Sequence, residues 1–333
     1  MKITLLFLFF AFMHLVLRSQ EPDSSAFIPH GDPIIQIFGD FFSTISNENN
    51  TSSIEIRRSY FGYSYQFKKE FLAAIKLDIG SPEDVSEFAR IRRYAYFKNA
   101  YLRYQKNKLN VDAGIIDLLH FKMQENYWGH RYIYKSLADE HRFGPTADIG
   151  FSLTYSFNRW LDADFSFMNG EGYTDPQLDN TFKGAIGITF KPIPYLVVRS
   201  YYDMMVKSTT TSTLALFIGY QPDERITAGA EFNLKINNEF VQGRQRTGYS
   251  FYASYTFWKN MQVFARYDIV RSNIMAGQDQ PWNLSEDGSA VIGGIEYSLI
   301  KNVKVALDYQ DWYPYAANMP NQSYIFVNVE VKI

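Results

Sequence analysis

The chain has 333 residues, 46% apolar and 17% aromatic, with no cysteine and a formal charge of −2 at pH 7. That balance offers no basic face for a nucleic acid, and without cysteine there is neither a disulfide framework nor a lipid-modified cysteine. The mean hydropathy of −0.25 is low, and no apolar run of about 20 residues follows the N-terminus, which excludes a bundle of membrane-spanning helices.

In chain order, the first segment carries one early cation, Lys2, and an apolar run from Ile3 to Leu17. Residues 1–19 read as a secretory signal peptide cut near Ser19, with an uncleaved anchor as the alternative. Residues 20–32 form a short lead, and 33–333 make up the folded unit. From Pro33 onward, polar and apolar side chains alternate over segments of roughly ten residues. Tyr195 to Val206 shows the pattern. Leu196, Val198, Tyr202 and Met204 fall on one face, and Arg199, Tyr201, Asp203 and Met205 on the other. Side chains on a strand point alternately to its two faces, so such a segment separates an apolar solvent from a polar one.

Alternation bounded by turn residues predicts about sixteen strands. They span 33–43, 53–67, 71–80, 92–105, 109–117, 147–157, 160–169, 182–191, 195–207, 211–221, 226–236, 247–257, 261–272, 289–299, 303–312 and 323–333. Short turns such as Lys68-Lys69-Glu70, Asn158-Arg159 and Lys259-Asn260 alternate with longer polar connections, except at Ser208–Thr210, where a long connection is replaced by a short one. Short turns at one end and long loops at the other are the rhythm of an outer-membrane barrel, and a soluble sandwich has no reason to keep it. The fold class is therefore all-β: a transmembrane antiparallel barrel with a polar lumen. Trp160, Trp258, Phe67, Phe157, Tyr195, Tyr220 and Phe257 flank the short turns, as an interfacial aromatic girdle does.

The polar parity collects Asp40, Arg58, Lys76, Asp78, Arg103, Asp112, Arg199, Asp203, Arg266 and Asp268 as the expected lumen wall. Charge on the lipid face costs about 2–4 kcal/mol at the midplane, which enforces the sorting. Lys98 departs from it, and either a position at the outer rim or a bulge that resets the parity accounts for it. The longest connection, Leu118 to Thr146, carries His120, Lys122, Glu125, His130, Arg131, Lys135, Asp139, Glu140, His141 and Arg142. A segment of this length and polarity suits an eyelet folded into the lumen, where opposed charges set a field and a size limit. The alternative is a surface loop packed on its own aromatics.

Residues 54–67 (IEIRRSYFGYSYQF), 70–80 (EFLAAIKLDIG), 98–104 (KNAYLRY) and 128–157 (WGHRYIYKSLADEHRFGPTADIGFSLTYSF) resemble the phosphate-selective porin O and P family, in its Bacteroidetes-type branch. The resemblance implies a sixteen-stranded, trimeric porin with its third loop in the pore, and Arg57 and Arg58 match the family's strand-two arginine pair. Two departures stand beside it. The chain ends Val331-Lys332-Ile333 where the family commonly ends in an aromatic, and the lumen list is mixed rather than a basic ladder.

Other chemistry finds little footing. His120, His130 and His141 lie ten and eleven residues apart on a loop, a spacing that promises no convergent metal site. Outside the long loop and the signal peptide the sole histidine is His30, in the expected lead, so no strand is expected to supply the base of a barrel-borne hydrolase, and no dinucleotide fingerprint follows a strand into a helix. No metal, cofactor or enzymatic activity is therefore expected. The expected role is passive diffusion of small hydrophilic solutes or ions, including anions such as phosphate, across the bacterial outer membrane. A non-conducting barrel serving a surface or secretion assembly is the alternative.

Overall fold

The computed structural model describes residues 27–45, 50–80, 94–175 and 177–333. The expected signal peptide (1–19) and residues 20–26 of the lead lie outside the described residues.

Sixteen strands follow one another: β1 (His30–Ile45), β2 (Ser52–Lys68), β3 (Phe71–Ile79), β4 (Ala95–Lys106), β5 (Leu109–Asp117), β6 (Ala147–Asn158), β7 (Leu161–Met168), β8 (Lys183–Ile193), β9 (Leu196–Val206), β10 (Thr210–Tyr220), β11 (Ile226–Ile236), β12 (Gln245–Trp258), β13 (Met261–Ser272), β14 (Gly288–Ile300), β15 (Val303–Pro314) and β16 (Gln322–Lys332). Each pairs antiparallel with its neighbours in sequence, and β1 pairs with β16 to close the barrel. Closure leaves no open sheet edge, so every strand finds backbone partners on both sides. β1 begins at His30, ahead of the expected residue 33, because His30 to Asp32 pair with Gln66 to Ser64 of β2. Between β5 and β6 lie two short helices, α1 (Lys122–Trp128) and α2 (Leu137–Glu140).

Alternation is plain on β9, where Val198, Tyr202, Met204 and Val206 are exposed while Val197, Arg199, Tyr201, Asp203 and Met205 are buried. The exposed parity is the apolar one, since it faces lipid, and the buried parity faces the lumen. Three short turns share a further device. Phe67, Phe157 and Phe257 each fall at a register irregularity just before the turn, outside the pairing ladder. All three rings are exposed, as are Trp160 and Trp258, and together they mark the short-turn end with aromatics. At the opposite end, β9 and β10 are joined by Lys207–Thr209 alone.

Among the described residues, two bulges lie away from the turns. On β2, Phe38 pairs with Arg58 and Gly39 with Ile56, so Arg57 is the extra residue. On β4, Lys76 pairs with Asn99 and Leu77 with Phe97, so Lys98 is the extra residue. Both devices turn two consecutive residues to the same side of the sheet. Lys98 and Asn99 are both buried, so the bulge, and not a place at the rim, accounts for the charge on the apolar parity.

Candidate functional site: the lumen wall and residues 118–146

The inner wall is a set of neighbouring ion pairs. Arg57 meets Asp40 at 2.7 Å and Arg58 meets Asp78 at 3.5 Å. Arg103 grips Asp112 at 2.7 Å, Arg199 grips Asp164 at 2.6 Å, and Arg266 grips Asp268 at 2.5 Å. Asp203 accepts from Tyr201 Oη and from the Thr213 N–H, and Lys76 sits 5.2 Å over the Tyr60 ring. All ten residues expected on the lumen wall therefore lie on the inner parity. Glu296 belongs there too, holding Lys304 at 3.0 Å. The inner-facing residues that precede it on β14, Ala290, Ile292 and Gly294, are not polar, so the strand shows too little polar alternation to mark it.

Residues 118–146 begin and end side by side, with the Leu118 N–H donating to the Thr146 carbonyl at 3.0 Å. Their partners are inner-parity side chains. Arg199 donates to the Leu119 carbonyl at 2.9 Å, Arg246 to the His141 carbonyl at 2.9 Å, and Arg266 to the Lys135 carbonyl at 2.7 Å. Tyr252 Oη donates to the Gln124 carbonyl at 2.9 Å, and Tyr132 Oη to Glu296 at 2.9 Å. Arg199 and Arg266, expected on the lumen wall, thus tie down backbone carbonyls of this segment.

Apolar packing completes the seat. Trp128, Tyr132 and Ile133 are buried among Phe38, Tyr60, Phe217, Tyr252 and Phe264 of the wall. A second cluster joins Phe121, Ala138 and Phe143. Two wall glycines make room for it. A Cβ on Gly219 would lie 2.5 Å from the Tyr127 ring, and one on Gly248 would lie 2.8 Å from Phe143.

The polar residues of the segment divide into two groups. His120 is buried, its Nε2 2.9 Å from Asn233 Oδ1 and its ring stacked on Tyr201 at 4.7 Å. His130 is buried with Nδ1 2.6 Å from the Trp128 carbonyl, and His141 lies 5.2 Å from the Trp312 ring. Burial pushes both His120 and His141 down to about 4, which keeps the imidazoles neutral at physiological pH. The charged residues pair among themselves and with Asp117 of β5. Lys122 meets Asp117 at 3.4 Å, Arg131 bridges Glu125 and Asp139, and Lys135 meets Glu140 at 3.5 Å. Lys98 reaches Thr146 Oγ1 from the wall and lies 4.0 Å over the Tyr173 ring. Arg142 has a left-handed backbone with φ of 54°.

At the end carrying the long connections, a cavity of about 750 Å³ opens between the segment and the wall of β1, β2 and β14–β16. Arg131, Lys135, Glu140, His141 and Arg142 line it from one side, and Asp40, Arg57 and Arg58 from the other. His120, Lys122, Glu125, His130 and Asp139 do not reach it. The sequence reading passed over the inner aromatics, Phe38, Tyr60, Phe217, Tyr252 and Phe264, because a polar lumen gives no reason to expect them.

No protein-family model matches the chain, and no curated sequence relative does. Solved structures do share the barrel. OmpF of Salmonella typhi in complex with daunomycin is 12% identical, with a TM-score of 0.69 over 91% of this chain and 97% of that one. OprB of Pseudomonas putida is 7% identical, with a TM-score of 0.67 over 91% and 94% of the two chains. OmpT, an outer membrane protein of Vibrio cholerae, is 12% identical, with a TM-score of 0.60 over 94% and 100%. At such identities the likeness is one of fold.

Proposed function

We propose that this chain is a porin of the bacterial outer membrane, giving passive diffusion of small hydrophilic solutes and ions, with residues 118–146 narrowing its lumen. The observation that carries this reading is the sorting of charge: ion pairs on the inner parity of a closed barrel, apolar side chains on the outer one. The outer-membrane porins OmpF and OprB share the architecture. Arg57 and Arg58 of the wall line one cavity with Glu140 of the segment, the opposed charges that an eyelet requires. Because Arg57 and Arg58 are already held by Asp40 and Asp78, the lumen fits weak ion preference better than phosphate selectivity. A homotrimer is the assembly the family resemblance implies, and OmpT of Vibrio cholerae is known in a trimer form; the mass in detergent solution checks it.

Planar-bilayer recording of the refolded protein tests the reading. Stepwise conductance is the expected result, and its absence from correctly folded barrels sinks the channel. Removing 122–142 should raise the conductance severalfold; an unchanged value in a folded barrel places the segment away from the current path. The dense apolar seat of Trp128, Tyr132 and Ile133 favours a second reading, a barrel plugged at rest that serves a surface or secretion assembly, and silent bilayers would support it.

A further inference from the structure

The cavity at the long-loop end has a wall that the porin reading does not use. Down β15, β16 and β1, inner-parity rings follow one another. Trp312 pairs in register with Gln322, Tyr324 with Thr44, and Phe326 with Phe42, with Phe38 deeper still. Successive inner positions along a strand are about 7 Å apart. Phe42 lies 6.1 Å from Tyr324 and 5.7 Å from Phe326, and Phe38 lies 6.4 Å from Tyr132 at the floor. All of these rings line the cavity. A polar lumen facing water has no need of such a run.

Beside the rings stand charges, most of them already paired. Arg57 holds Asp40 at 2.7 Å, Lys135 holds Glu140 at 3.5 Å, and Arg246 holds Glu286 at 3.3 Å. Gln310 and Gln322 add amides to the lining. A phosphate site needs cations whose charge is not already answered by carboxylates. A wholly apolar solute would leave these paired groups stripped of water. A neutral polyhydroxylated ring satisfies both surfaces: its C–H face lies on an aromatic ring, and its hydroxyls donate to carboxylates and accept from guanidinium and amide N–H groups. The cavity's volume of about 750 Å³ falls within the roughly 300–1,000 Å³ of sites that enclose an organic ligand.

We propose that the aromatic run of Trp312, Tyr324, Phe42 and Phe38 is a binding track for neutral saccharides entering from the long-loop side. The transport role rests on the porin reading, whereas binding itself does not, and this separation governs the test. Maltotriose is titrated into the refolded protein in detergent by calorimetry, and added to the long-loop side in bilayers while the ion current is recorded. Inorganic phosphate is the control in both. The expected result is saturable binding in the millimolar range, with reversible current block at the same concentrations. Phe42→Ala with Tyr324→Ala should weaken binding about tenfold, as removal of two stacking contacts implies. Phe42→Tyr with Tyr324→Phe, which keeps both rings, should restore it. Binding without conductance would sink the channel and leave the saccharide site standing. No maltotriose heat from the unmutated protein, or phosphate binding at lower concentration than maltotriose, overturns the proposal, as does an equal affinity in the folded double-alanine protein.

Discussion

Arg57 and Lys98 show how one extra residue in a strand changes the chemistry of the lumen. Each bulge adds a cation to the inner face beside a residue that would have pointed inward anyway. Arg131, on the facing segment, bridges Glu125 and Asp139. Arg131→Gln leaves Asp139 without that cation and Glu125 with Lys122 alone, so the reversal potential in a salt gradient should move toward cation preference. An unchanged potential would place the pair off the ion path. The buried histidines make a separate prediction. His120 and His141 are held near 4 in the folded protein against an ordinary 6.5. Once unseated, the segment takes up protons first, so its seating is fully stable above about pH 6.5 and loses stability as the pH falls toward 4. Hydrogen exchange within 118–146, corrected for its intrinsic pH dependence, should quicken across that window. With His120→Gln, His130→Gln and His141→Gln together, it should not, since burial pushes His130 down as well. At this scale the sequence was legible wherever polarity alternates, as on β9 and β13. It misled at Glu296, whose inner neighbours Ala290 and Ile292 are apolar because the segment packs on them.

Among the elements, the strands and short turns could be read from the chain because a barrel wall between two solvents imposes a period of two. The helices could not. α1 spans Lys122–Trp128 and α2 Leu137–Glu140, each too short to display a helical period, and both are held by tertiary contacts rather than by propensity. Nor does a loop's sequence state which wall receives it. The clue lay on the other side of the contact, in small inner-parity residues such as Gly219 and Gly248 opposite bulky loop rings. Gly248→Val tests this seat. Its Cβ would crowd Phe143 at 2.8 Å and Leu137 at 3.1 Å, an overpacking worth about 1–3 kcal/mol. The expected outcome is faster exchange within 118–146 while the barrel's own melting is unchanged. If the barrel melts earlier instead, the segment and the wall fold as one unit.

As a whole, the molecule is stabilised by two different environments, one on each face of a single sheet. Val198, Ile218 and Leu307 belong to the outer face, where Ile218→Arg should cost about 2–4 kcal/mol if the position lies near the membrane midplane. Measured as a fall in unfolding free energy in lipid vesicles, a cost near zero would mean that lipid does not cover this face. The closed ring also makes insertions and deletions unusually consequential. Loss of one residue from a regular strand would turn every later side chain of that strand to the wrong solvent. The bulge on β4 is an exception. Without Lys98, Phe97 would stay outward, Asn99 inward and Ala100 outward, and the ladder would close in regular register. The shortened chain should still assemble into a heat-stable barrel, whereas deletion of Tyr202 from the regular ladder of β9 should abolish assembly. The two bulges are therefore the places where these strands can change length without turning inside out, and the cation each one carries is a charge that the lumen can gain or lose in a single step.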